Sequence, residues 1–328
     1  MSKKRTIDAF FGTQESSKKP RGSDIAKDDD DAVSGILHIR PRYPFPIPNL
    51  PVALSKEIGS LPSSIGREIN DQPDLDLLYF EPYVPKHTEK TLFEFLRSQL
   101  PFYRVEYDIR RGGISTHIRT PRWTTVFGVD DTAIFDEAGT VVDARTRQRI
   151  VDNKLYAKYP PRPIPKCFDD LRLSTEAATG CKFNFCLVNY YASGADSISY
   201  HSDDERFLGP LPAIASFSLG AKRDFLMKHK PIAPDSNATP TLKEPKSLKL
   251  PLASGDMVLM RGTTQANWLH SIPKRSNKNE KHGGGRINIT FRRAMVKGGT
   301  ENYYNYNVGN GPVYKWSAAE QEMKVWKP

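Results

Sequence analysis

The stretch Arg286-Ile287-Asn288-Ile289-Thr290-Phe291-Arg292 constrains this chain most. Polar and apolar side chains alternate without a break, and successive side chains of a strand point to opposite faces. Ile287, Ile289 and Phe291 therefore share one face, and Arg286, Asn288, Thr290 and Arg292 share the other. On a surface strand the polar row would simply be wet. Its composition argues otherwise, because two guanidiniums flanking an amide and a hydroxyl suit a dicarboxylate, which arginine grips as a fork. Turned into a barrel, each arginine needs an anionic partner, since a buried unpaired charge is costly.

The same period of two starts at residue 181. In CKFNFCLVNYY, Phe183, Phe185, Leu187, Asn189 and Tyr191 share a face. Apolar runs bounded by Pro, Gly and Asn predict further strands at 213–219, 223–229, 247–252, 256–261 and 286–292. Two helices precede them. TEKTLFEFLRSQL puts Leu92, Phe93, Leu96 and Leu100 on one face behind Thr88 as N-cap, and a second amphipathic stretch over 167–179 stops at Gly180. Short antiparallel strands behind helices predict an α+β fold, a barrel or jelly roll supported by helices on one side. No internal repeat is evident.

The flanks read differently. Residues 1–74 carry polar low-complexity runs (ESSKKPRGSD, KDDDD) and the proline-spaced RPRYPFPIPNLP, which predict a mostly disordered tail. Order is expected from LDLLYFEPYVP onward, giving a folded domain over 75–298 and a C-terminal extension over 299–328. The net charge of +10 lies wholly beyond residue 74, because the tail holds equal numbers of basic and acidic residues. A basic folded domain suits a polyanion such as nucleic acid; a merely basic soluble enzyme fits as well. Cys167, Cys181 and Cys186 form neither a disulfide framework nor a zinc pair and read as thiols in a reducing compartment. No apolar run approaches the length needed to cross a bilayer.

SYHSDDERFLG, residues 199–209, poses the chemical question. Alone, His201-Ser202-Asp203 reads as an acidic surface turn, and His270 in TTQANWLHSIP as a packed histidine. Together, two imidazoles and a carboxylate make the facial triad that holds Fe(II) with positions left open. Residues i and i+2 of an extended segment point the same way, and a distant strand closing the barrel can bring the third ligand. Open positions suit a bidentate 2-oxo acid plus O₂, with Arg286 and Arg292 anchoring it. A zinc hydrolase with the same ligands would leave those arginines unexplained.

With these motifs in that order, residues 75–296 resemble the AlkB family of Fe(II)/2-oxoglutarate dioxygenases, nearest its eukaryotic branch for nucleic-acid alkylation repair. FNFCLVNYY, PAIASFSLGAKRDFLM and PLASGDMVLM also look familial, and TPRWTTVFG (120–128) looks like the family's substrate lid. The resemblance implies a double-stranded β-helix (jelly-roll) core with supporting N-terminal helices and a lid. It implies oxidative demethylation of 1-methyladenine and 3-methylcytosine in DNA, or in RNA, with formaldehyde released. An RNA- or protein-directed hydroxylase, or a non-catalytic clamp-binding adaptor, are the alternatives.

Carried over by position, His201, Asp203 and His270 would be the catalytic iron ligands. Asn189, Tyr191, Arg286, Asn288, Thr290 and Arg292 would bind 2-oxoglutarate. Asp204 would face the substrate base, Phe127 would stack on it, and Arg122 would contact phosphate; Glu205 reads as an ordinary acid at the rim. Some double-strand-specific members carry an apolar finger, for which RRGGISTHIRTPR offers only Ile114 or Ile118, so single-stranded substrate is favoured. In the tail, Arg5–Phe11 resembles the PCNA-interacting box: Ile7, Phe10 and Phe11 lie on one side of a helical turn, although Lys4 stands where that box has Gln. Basic clusters at 3–5 and 18–21 fit nuclear import. A nuclear location and a monomeric state are expected.

Overall fold

The structure is a computed structural model describing residues 37–38, 43–150, 156, 159–231, 245–275, 285–308 and 311–328. The alternation of residues 286–292 is realised as a central strand, Arg286–Arg292, whose Ile287, Ile289 and Phe291 are fully buried against helices. It lies in an antiparallel sheet whose described strands run, edge to edge, 322–325, 313–317, 102–103, 123–128, 185–191, 286–292, 214–220, 257–260, 77–80 and 67–69. A smaller sheet has the order 198–201, 268–272, 223–229, 248–252. The two sheets share a core in which Phe185, Leu187, Ile214 and Met260 of the large sheet meet Phe225, Met227, Leu250 and Trp268 of the small one. Two facing antiparallel sheets of this kind are a jelly roll.

The outer face of the large sheet is closed by helices Val52–Gly59, Lys86–Gln99 and Lys166–Thr179. Leu92, Leu96, Phe168 and Leu171 are buried there, and burying each stabilises the fold by about 1.5–3 kcal/mol. Gly180 ends the third helix in the left-handed region (φ 70°), its N–H donating to the Glu176 carbonyl. The expected strands all form; those from 213 to 292 match within about a residue at each end, whereas the one expected from 181 begins at Phe185.

Three expectations are corrected. Thr88 is not an N-cap: Pro85 holds that position, and Thr88 is buried one turn inside with its hydroxyl donating to Glu57 at 2.6 Å. The ordered region begins before residue 75. Tyr43, Ile47, Leu50, Leu54 and Ile58 are all buried in the helix-side core, so the prolines space anchors along a covering strap rather than prevent order. Finally, Trp123–Gly128 is a central strand of the large sheet, not a lid. The lid-like element is the separate hairpin Glu106–Arg111/Ile114–Arg119, with Ile114 exposed beside its turn. Two stretches without an expected place also acquire one. Residues 131–160 include the hairpin Ala133–Phe135/Val141–Asp143, and the extension contains helix Glu301–Val308 and strands Val313–Ser317 and Glu322–Val325.

Candidate active site

The strand Ile198–His201 pairs with Trp268–Ile272 so that His201 and His270 are direct cross-strand neighbours. Their rings lie 4.2 Å apart between centroids. Asp203, just beyond the strand end, completes the group: its Oδ1 is 3.9 Å from His201 Nε2 and its Oδ2 3.7 Å from His270 Nε2. One ligand atom from each residue falls within 4.8 Å of the others.

The second contacts of these ligands prepare them for a metal. His201 Nδ1 is 2.8 Å from the Ser199 carbonyl, which only accepts, so Nδ1 carries the proton and Nε2 offers its lone pair. The Asp203 N–H donates to Gln265 at 2.9 Å, fixing the loop. Burial lowers the pKa of His201, and burial together with His201 pushes His270 down to about 3. Both imidazoles are therefore neutral near pH 7, as ligation requires. Burial opposes ionisation of Asp203, but Arg292, His270 and His201 outweigh it and hold its pKa below the usual carboxylate value.

The polar row of the central strand faces the same space. Arg286, Asn288, Thr290 and Arg292 line a cavity of about 350 Å³ with the three ligands, Asn189 and Tyr191. Registers explain this convergence: Asn189 pairs with Asn288 on one side and Thr124 on the other. Arg286 is 1% exposed; Nη2 donates to Ser218 at 2.8 Å, while Nε and Nη1 have no hydrogen-bond partner among the described residues. Burial lowers its pKa only to about 10, so it is a buried cation at neutral pH. Such a group calls for a carboxylate. Asn288 and Thr290 are committed to the frame, donating to Ser216 and Phe217 and to Leu187 respectively. They shape the wall.

At the metal end, Arg292 lies between two acids, 3.1 Å from Asp203 and 3.7 Å from Glu205. Glu205 is not a rim acid. Two residues after Asp203, it points inward, is buried, and accepts from the Tyr303 hydroxyl; burial and then Asp203 raise its pKa to about 7.

Two further expectations are corrected by the same alternation. Asp204 points away from the cavity, pairing with Lys230 at 3.0 Å and accepting from Ser202. Phe127 is fully buried on the helix side, 6.1 Å from both Tyr43 and Phe168, because Thr124 and Val126 occupy the face that looks between the sheets. Arg122 does line the cavity, donating to Asn189 at 3.2 Å. Ile7, Phe10 and Phe11 lie outside the described residues.

Residues 76–292 match the model of the 2OG-Fe(II) oxygenase superfamily. The chain is 30% identical over 291 residues, 83% of each chain, to the DNA oxidative demethylase ALKBH2 of Arabidopsis thaliana. The chain belongs to the AlkB family of 2OG-Fe(II) oxygenases. It is 43% identical over 122 residues to the alpha-ketoglutarate-dependent dioxygenase alkB homolog 3 of Rattus norvegicus, covering 37% of this chain and 39% of that one. Against the human DNA oxidative demethylase ALKBH2 it is 38% identical over 136 residues, 42% of this chain and 49% of that one.

The AlkB cofactors fit the residues present. His201, Asp203 and His270 supply the donor set for Fe(II), and Asp203 Oδ1 has no hydrogen-bond partner among the described residues. The unpartnered nitrogens of Arg286 match the distal carboxylate of 2-oxoglutarate. When bound, these groups supply O₂-dependent hydroxylation of the substrate.

Proposed function

We propose that this AlkB oxygenase removes methyl groups oxidatively from alkylated bases in DNA, 1-methyladenine and 3-methylcytosine above all, and acts best on single strands. The observation that carries the reading is a single cavity joining the metal triad to a buried arginine with two unpartnered nitrogens, lined also by Tyr107 and Ile118 of the hairpin 106–119. The relatives named as DNA oxidative demethylases supply the substrate class. A base must leave its stack to reach such an enclosed site. In this reading the chain's own residues do four things. The two neutral imidazoles and Asp203 hold the metal, and Arg286 orients the dicarboxylate. Arg292 pairs with Asp203 and lies beside Glu205, so that two acids are buried side by side, and the apolar inter-sheet core keeps bulk water from the far side.

His201→Ala should abolish formaldehyde release from an oligonucleotide carrying 1-methyladenine while the wild type releases it. Activity surviving in that variant would remove the triad from the reaction. A panel of single- and double-stranded DNA and RNA then separates DNA repair from RNA demethylation. The reading extends to residues 5–11 as a sliding-clamp docking box, to a nuclear location and to a monomeric enzyme. The box is supported by Ile7, Phe10 and Phe11 at helical spacing, the location by the neighbouring basic clusters. Calorimetry of a residue 1–20 peptide with PCNA tests the box: Phe10→Ala/Phe11→Ala should remove binding.

A further inference from the structure

The C-terminal extension reaches the catalytic cavity. Its helix, Glu301–Val308, distributes three tyrosines to three destinations. Tyr303 turns toward Arg292 and Glu205. Tyr304 is fully buried, its hydroxyl donating to the carbonyls of Gly128 at 2.6 Å and Arg162 at 3.2 Å. Tyr306 turns to the hairpin, where its ring lies 5.8 Å from that of Tyr107 at an interplanar angle of 48°. Tyr107 and Tyr306 both line the cavity.

The helix is tied down on both sides. Thr300, just before it, is buried and bonded to the Tyr156 hydroxyl. After it, Val313–Ser317 joins the large sheet beside Phe102–Tyr103, and Arg97 lies 3.9 Å over the Trp316 ring. Tyr306 is thus held in place by the rest of its extension, whereas Tyr107 rides on a two-stranded hairpin.

We propose that the helix Glu301–Val308 of the extension is a working part of the substrate site, and that Tyr306, paired with Tyr107, is a specificity-determining contact for the damaged base. The inference rests on the demethylase reading above. A flat base presents a π-face for aromatic stacking, and a 1-methyladenine or 3-methylcytosine ring is positively charged near pH 7. An aromatic face attracts a cation, so the tyrosine pair favours the methylated base over its neutral parent. The expected recognition gains an element beyond stacking alone: charge selection by rings drawn from two separate parts of the chain.

The test compares binding of methylated and unmodified single-stranded oligonucleotides to the Fe(II)- and 2-oxoglutarate-loaded enzyme without O₂, by fluorescence anisotropy. Tyr306→Ala should weaken binding of the methylated strand about tenfold and of the unmodified strand about twofold or less. Tyr306→Phe, which keeps the ring, should restore the preference. Combined with Tyr107→Ala, the loss should be less than additive, because the rings act as a pair. Turnover should show the same change as a rise in KM for the oligonucleotide. If the wild type demethylates and Tyr306→Ala keeps its preference, the inference falls and the function stands. If the wild type releases no formaldehyde from any methylated strand, both fall.

Discussion

At the scale of single residues, Arg286 carries the clearest prediction. Its guanidinium is buried with two nitrogens unpartnered, so a dicarboxylate that pairs with it gains charge-assisted hydrogen bonds. Arg286→Ala should raise KM for 2-oxoglutarate by roughly 10- to 100-fold, the equivalent of about 1.5–3 kcal/mol. Arg286→Lys should rescue little, because an ammonium cannot reproduce the fork; initial rates against 2-oxoglutarate concentration decide it. A second residue prediction concerns the hairpin. His117 Nδ1 is 2.9 Å from Asp108, and Nε2 is 3.5 Å from Glu106, which Arg119 also engages. The hydrogen bond to Asp108 raises the His117 pKa above its usual value. The stabilisation is therefore full below the unfolded value, about 6.5, and is lost as pH rises through the higher folded value. NMR titration should show that raised pKa, and Asp108→Asn should lower it. The arginine row and the His201/Asp203 pair were legible in the sequence because each follows a period of two, and His270 only in combination with them. Glu205, Asp204 and Phe127 were not, since their roles depend on which way a face points once the sheets are stacked.

Secondary-structure elements show where legibility ends. Strands 214–220, 223–229, 248–252, 257–260 and 286–292 were readable because β-branched and aromatic runs are punctuated by turn residues. The Val52–Gly59 helix was hidden by flanking prolines, which act at the residue level while burial of Leu54 and Ile58 acts at the level of the fold. The pairing of His201 with His270 is likewise a matter of register, invisible before strand order is known. The extension helix offered a signal in its cluster of tyrosines, but not its direction. Tyr304 anchors that helix, and truncating a buried aromatic costs about 3–5 kcal/mol. Tyr304→Ala should lower the denaturant midpoint clearly and reduce turnover with it, while Tyr304→Phe, losing only the hydroxyl contacts, should cost about 0.5–1.5 kcal/mol. Gly128, at the end of the strand against which this helix packs, has φ 102°, and a Cβ there would sit 2.0 Å from the Asn184 carbonyl oxygen. Gly128→Ala should destabilise the same region.

For the whole molecule, the question is how a basic domain presents its charge to a polyanion. The net charge of +10 falls entirely on the chain after residue 74, yet much of it is spent internally: Arg286 and Arg292 are buried, and Arg119 is bound to Glu106. Binding strength to nucleic acid therefore depends on the cations that remain outside, among them Arg110, exposed on the hairpin whose Tyr107 and Ile118 line the cavity. Each phosphate neutralised on a single strand releases counterions, giving a slope of about −0.7 in log affinity against log salt. A basic side chain that meets phosphate reads no sequence, so its loss should act equally on every oligonucleotide. Arg110→Ala should weaken binding of methylated and unmodified strands alike and make the salt slope shallower by about 0.7, measured between 50 and 200 mM salt. A substitution in the tyrosine pair should do the opposite, changing the preference for the methylated base and leaving the slope as it was. An unchanged slope in Arg110→Ala would place the phosphate track on another face of the molecule.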